Sequence, residues 1–135
     1  MVTFVRTTPA LPSSDVARSI EFYRDVLGFD VAHSDDGFAV LRRDDAMINL
    51  WGATDDSWQT RIEWAQPVCS GAESFIAGTA SCRVEITGVD AYYAHCKEAG
   101  VVHPNGDIAD QSWGTREFAI LDPDGNLVSF YEDRS

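Results

Sequence analysis

The chain is poor in positive charge. Ten Lys and Arg stand against 22 Asp and Glu, a formal net charge of −12 over 135 residues. Nucleic-acid binding works by neutralising phosphates with cationic side chains, and an anionic membrane surface attracts the same cations, so both partners are excluded. Cysteine is scarce too. Cys69, Cys82 and Cys96 are odd in number and form no Cys-x-x-Cys pair, which fits neither a disulfide framework nor a zinc site and reads as free thiols in a reducing compartment. No stretch approaches the ~20 apolar residues of a membrane span, and the first residues lack a signal-peptide run, so the expectation is a cytoplasmic protein. No Gly-x-Ser-x-Gly elbow, His-Glu-x-x-His helix or phosphate-binding loop occurs. His33, His95 and His103 lack ligand spacing and read as surface or hydrogen-bonded histidines.

What is present describes one folded domain over residues 1–135, with 44% hydrophobic and 24% charged residues. The chain contains an internal repeat: Phe38 to Trp51 lies over Phe118 to Tyr131 without a gap, each copy reading strand, polar turn, strand. The second turn, Asp122-Pro-Asp-Gly-Asn126, joins a proline with fixed φ to residues that tolerate positive φ. A helix candidate precedes each hairpin. Val16, Ile20, Tyr23 and Leu27 form one apolar stripe, with Ser14 as the expected N-cap and Gly28 as the stop. Val89, Tyr92, Cys96 and Ala99 form the second, ended by Gly100. Strands are expected from Thr3 to Ala10 and Ser81 to Thr87 ahead of the helices, and from Phe29 to His33 and Val101 to His103 after them.

The expected fold is therefore α+β, two tandem βαβββ modules with curved sheets. Module one covers about 1–52, a linker about 53–79, and module two about 80–135. A one-sided sheet of this kind must bury its apolar face against its twin or another chain. The linker carries Trp58, Trp64 and Phe75 despite its Gly, Ser and Asp content. Solvated loops rarely spend tryptophans without a surface to cover.

The run from Ala10 to Phe29, the segment Gly37 to Asp45 and the segment Gln111 to Glu132 together resemble the vicinal-oxygen-chelate (glyoxalase/dioxygenase) superfamily, and within it the bleomycin resistance proteins. The resemblance covers nearly the whole chain apart from much of the linker. It implies a homodimer that exchanges an N-terminal arm and holds cationic, planar, bleomycin-like antibiotics, metal-free or copper-bound, at the subunit interface. Catalytic relatives hold a divalent metal at four strand positions, which fall here on Thr8, Asn49, Ser81 and Ser129. None is a carboxylate, imidazole or thiolate, so no metal and no cofactor are expected, and the chain reads as a binder rather than an enzyme.

By the same resemblance, Trp113 in the Ser112–Glu117 run stacks on the drug's planar tail, and Phe38 closes the other side of the sandwich from the partner subunit. Gly114 lets backbone approach the ligand, and Pro9 is the hinge of the exchanged arm. The residues leave alternatives open. Phe38 reads equally as a core residue like its repeat mate Phe118, Trp51 and Trp58 as groove wall or as packing, and Pro9 as ordinary strand termination. Asp35, Asp36, Asp55, Asp56 and Glu63 lie in the loops nearest this groove and suit a cationic ligand. From residue 30 to 63 there are eight acids against three arginines, a local excess beyond what solubility asks. The expected function is antibiotic resistance by non-covalent sequestration of bleomycin-type glycopeptides. Alternatives are a mitomycin-like or quinoxaline-type planar drug, or a metal-dependent enzyme of the same fold.

Overall fold

The computed structural model describes residues 1–53 and 77–135. The first half contains β1 (Ala10–Ser13), α1 (Val16–Asp25), β2 (Asp30–Ser34), β3 (Phe38–Arg43) and β4 (Ala46–Gly52). The second contains β5 (Ser81–Glu85), α2 (Val89–Glu98), β6 (Ala109–Asp110), β7 (Thr115–Leu121) and β8 (Leu127–Asp133). The order β-α-β-β-β thus occurs twice, as the internal repeat predicts. Each half forms a four-stranded sheet, in the orders β1-β4-β3-β2 and β5-β8-β7-β6. In both sheets the first strand runs parallel to the last, and the other neighbours are antiparallel. Among the described residues no helix is long and apolar enough to cross a membrane.

Alternation along the strands decides which face is core. Ala39 and Leu41 of β3, Ile48 and Leu50 of β4, Phe118 and Ile120 of β7, and Val128 and Phe130 of β8 are buried. They pack with Tyr23 and Leu27 from the first half and Val89 and Cys96 of α2 in one cluster. Burial pushes the Cys82 and Cys96 thiols up to about 11, so both are thiols rather than thiolates at neutral pH. Among the described residues both helices pack on these buried faces of the sheets.

Four expectations change. The N-cap of α1 is Asp15, which accepts the Arg18 N–H at 3.1 Å, and not Ser14. Ser14 is taken by the other half, hydrogen-bonding to Asp124. The first strand begins at Ala10 and not at Thr3, since a strand forms only where a neighbour supplies its ladder and β4 meets the chain from Ala10 onward. The fifth strand ends at Glu85 and not Thr87, because Gly88 takes a left-handed turn into α2. Val101 to His103 contributes only the bridge from Val102 to Ile120, and the short strand lies instead at Ala109–Asp110. Pro104 cannot donate to a ladder, and the backbone turns there, with Gly106 N–H bonded to His103 O at 2.8 Å.

The halves are joined by polar contacts that the repeat alone does not reveal. The Asp122–Asn126 turn inserts against the β1–α1 corner. Asn126 is fully buried and donates from Nδ2 to Pro12 O at 2.8 Å and to Asp122 at 2.9 Å, while its Oδ1 accepts the Gly78 and Ala80 N–H groups. Asp122 also accepts the Tyr23 hydroxyl at 3.0 Å. Asp124 pairs with Arg18 at 3.0 Å. In return, the second half satisfies the C-terminal carbonyls of α1: His95 Nε2 donates to Val26 O, and the Tyr92 hydroxyl to Leu27 O. Arg43 also donates to Leu27 O, with its guanidinium 5.3 Å from the Tyr92 ring centre. Helix ends leave such carbonyls without intrahelical partners.

Candidate functional site

Strand register places the first group of expected site residues. Phe38 and Trp51 stand directly opposite each other across β3 and β4. They alternate with the buried Ala39 and Leu50, which puts both on the face of the first sheet opposite the core. Phe38 is therefore not the equivalent of its repeat mate Phe118, which is buried in the core. Asn49 shares that face, and its buried Oδ1 has no hydrogen-bond partner. Asp35 is held beside them: one oxygen accepts the Gly37 N–H at 3.0 Å and the other contacts His33 Nε2 at 3.1 Å. The Gly37 N–H, then His33, keep the Asp35 carboxyl below its usual range, so it is anionic at neutral pH. Asp35 and Asp36 line a cleft of about 520 Å³ against the start of α1, with Ser14, Asp15, Ile20 and Ser34.

Trp113 belongs to the second sheet. It tops the turn between β6 and β7 and is 62% exposed, the only large hydrophobic side chain exposed among the described residues outside the N-terminal arm. The turn is closed by Gln111 N–H to Thr115 O at 2.7 Å and Gly114 N–H to Gln111 O at 3.2 Å. Gly114 answers a backbone demand, with φ at +93°, and a Cβ there would meet Ser135 at 3.1 Å. The structure brings Phe38, Trp51, Asp35 and Asp36 to the first half and leaves Trp113 and Gly114 on the second. Trp58, Asp55, Asp56 and Glu63 lie outside the described residues.

Pro9 stands immediately ahead of β1. Its carbonyl accepts the Asn49 N–H at 2.9 Å, and ahead of it Met1, Val2, Phe4 and Val5 are exposed by 78% or more. A second cleft, about 810 Å³, lies away from the expected aromatic site. Phe29, Ala46, Val84, Ile86, Tyr92 and Phe130 form its apolar walls, and Arg43, Asp44, Asp45 and Glu85 are its charged lining.

The four positions at which the resemblance would place metal ligands carry poor donors. The Thr8 hydroxyl contacts Met47 Sδ at 3.9 Å, and Asn49, Ser81 and Ser129 add only neutral oxygens. Among the described residues no three His, Cys, Asp or Glu side chains gather as a metal-binding group. A divalent ion wants charged oxygens, imidazole or thiolate, so this set does not fit one. Sequence reasoning missed another feature of the open face, on the second sheet: Arg83, Glu117 and Tyr131. Arg83 pairs with Glu117 at 2.7 Å and lies 4.2 Å from the Tyr131 ring centre. The available signal was their place on the outward positions of otherwise apolar strands.

Two βαβββ halves, each a four-stranded mixed sheet with one helix, define a class. The chain belongs to the Glyoxalase/Bleomycin resistance protein/Dioxygenase superfamily, whose family model matches residues 4–130. Within that superfamily its sequence similarity runs to bleomycin resistance proteins, and its fold likeness extends to a lactoylglutathione lyase of Agrobacterium tumefaciens (TM-score 0.71 at 20% identity, covering 95% of this chain and 92% of that one). The chain is 52% identical over 128 residues to the bleomycin resistance protein of Geobacillus stearothermophilus, covering 95% of this chain and 96% of that one. The bleomycin resistance protein of Staphylococcus aureus matches to the same degree. Among solved structures, the bleomycin-binding protein of bleomycin-producing Streptomyces verticillus, complexed with copper(II)-bleomycin, superposes with a TM-score of 0.70 at 28% identity. That match covers 96% of this chain and 97% of the other.

Proposed function

We propose that the protein confers resistance to bleomycin-family glycopeptides by holding them, unaltered, in grooves between two copies of the chain in the cytoplasm. The observation that carries this reading is the exposed Trp113, fixed on a tight turn of one sheet while Phe38 and Trp51 lie on the open face of the other. A sandwich around a flat ring then takes one wall from each of two subunits. Offset stacking adds about 0.5–1.5 kcal/mol beyond area burial for each ring pair. Asp35 and Asp36, with Asp55, Asp56 and Glu63, steer the drug's cationic terminus. The named relatives support bleomycin as the planar ligand, since they are bleomycin resistance and bleomycin-binding proteins. Binding needs no proton transfer and no metal held by the protein, so the activity is not enzymatic.

The arm completes the dimer in this reading. β1 pairs with β4 only from Asn49 to Gly52, which leaves the start of β4 beside the cleft of about 810 Å³, whose charged lining is mainly acidic. The exposed Met1–Val5 segment with Arg6 suits that cleft in both apolarity and charge. Pro9 is the hinge at which one chain's arm crosses to the other. The test is titration with metal-free and copper-loaded bleomycin, followed by tryptophan fluorescence. Trp113→Ala should weaken binding at least about tenfold. Affinity equal to that of the unmodified protein would overturn the site, and tighter binding of another flat antibiotic would overturn the ligand.

A further inference from the structure

Glu117 is the third residue of β7 and only 17% exposed. One of its oxygens, Oε2, receives two donors: Arg83 Nη2 at 2.7 Å and Thr115 Oγ1 at 2.6 Å. The register explains how Arg83 arrives. It stands opposite Ser129 while Glu117 stands opposite Tyr131, so the guanidinium crosses β8 diagonally, over the Tyr131 ring. Thr115 is both the first residue of β7 and the closing residue of the Trp113 turn, its carbonyl accepting the Gln111 N–H. The far side of the turn is tied by Arg134 N–H to Gly114 O at 2.8 Å. A single carboxylate therefore links the edge strand β5 to the residue from which the turn springs.

We propose that Glu117, locked by Arg83, is a positioning residue for ligand binding: it holds the Thr115 end of the turn so that Trp113 meets a planar ring already oriented. This rests on the reading that Trp113 stacks on the ligand. Orienting an exposed aromatic before binding removes the entropy cost of ordering it on contact. Glu117 acts through Thr115, and its charge is spent on Arg83 rather than on the drug.

The test labels the full chain with 5-fluorotryptophan and follows its four tryptophans by fluorine NMR, with the Trp113 line identified by W113F. In Thr115→Val and Glu117→Ala the Trp113 line should broaden about twofold while the others hold, and metal-free bleomycin should bind about fivefold more weakly. Glu117→Gln, which keeps an acceptor oxygen for both donors, should preserve both readouts. An unchanged Trp113 line in Thr115→Val and Glu117→Ala overturns the proposal. So does a loss in Glu117→Gln equal to that in Glu117→Ala with Thr115→Val unaffected, because that pattern marks direct charge contact with the drug. If Glu117→Ala does not fold, Thr115→Val, which loses one hydroxyl, decides alone. Unmodified protein that binds no bleomycin defeats the ligand reading, while the NMR lines still decide the brace.

Discussion

An exposed tryptophan forgoes the burial of one of the largest apolar side chains, and Trp113 stays outside although buried aromatics such as Phe118 and Phe130 fill the same half. Its position follows from short-range bonds across the Gln111–Thr115 turn, and a polar run without periodicity announces such a loop. Asn126 is the opposite case. As the last residue of a turn motif it looks like a tolerant surface position, yet it is fully buried and uses both ends of its amide to join the halves. Asn126→Ala leaves the Pro12 carbonyl and the Gly78 and Ala80 N–H groups short of partners. Losses of this kind should total about 3 kcal/mol, read as a fall in the urea midpoint with the slope unchanged. Phe38 was undecided on sequence because both faces of a strand accept phenylalanine. Its register opposite Trp51 settles which face it takes.

At the level of elements, the helices and hairpins were legible because their signals are local. Stripes at helical spacing and the Asp122–Asn126 turn carry their own physical reasons. The ends of strands were not, because an end depends on the neighbour. Thr3 to Ala10 alternates well enough to read as a strand, but β4 pairs with the chain only from Ala10. The two halves differ here, since β5 pairs with β8 from Leu127 through Tyr131 whereas β1 meets β4 only from Asn49. An unpaired edge beside an exposed apolar arm invites pairing with another chain. Removal of residues 1–8 should convert the proposed dimer to monomer, read by sedimentation velocity, with the helical circular-dichroism signal kept. A dimer that survives the deletion would take the arm out of assembly.

For the whole molecule, charge and the joint between halves matter most. The proposed dimer carries −24, and in the proposed complex the drug's cationic terminus approaches the acids of the first half. Affinity for metal-free bleomycin should fall steadily as salt rises from 20 to about 300 mM, because screening shortens the reach of exposed charges. A flat salt series would leave the charge with solubility alone. Asp124 ties the halves electrostatically. Burial acts to raise its pKa, but hydrogen bonds from Ser14 and the charge of Arg18 outweigh it, and the carboxyl sits below its ordinary value of 3.8. A depressed folded pKa contributes stability above the unfolded value that is lost as pH falls through the folded one. Asp124→Asn should therefore lower the melting temperature at pH 7 and narrow the gap from the unmodified protein as pH drops below about 4. An equal gap at every pH would assign the effect to lost hydrogen bonds instead.

The amino-acid sequence by itself determined the doubled α+β architecture, the four uncharged residues where metal ligands would stand, and the aromatic and acidic candidates, since each rests on periodicity, on turn chemistry or on which atoms a side chain carries. Tertiary structure decided that Phe38 and Trp113 sit on separate sheets and that Asn126 and Asp124 lock the halves. It also decided that the first strand pairs with β4 only from Ala10, and that Arg83 reaches Glu117 across a strand. Those outcomes depend on register and on what lies opposite, which are properties of pairs of segments distant in sequence. No single stretch of residues contains them.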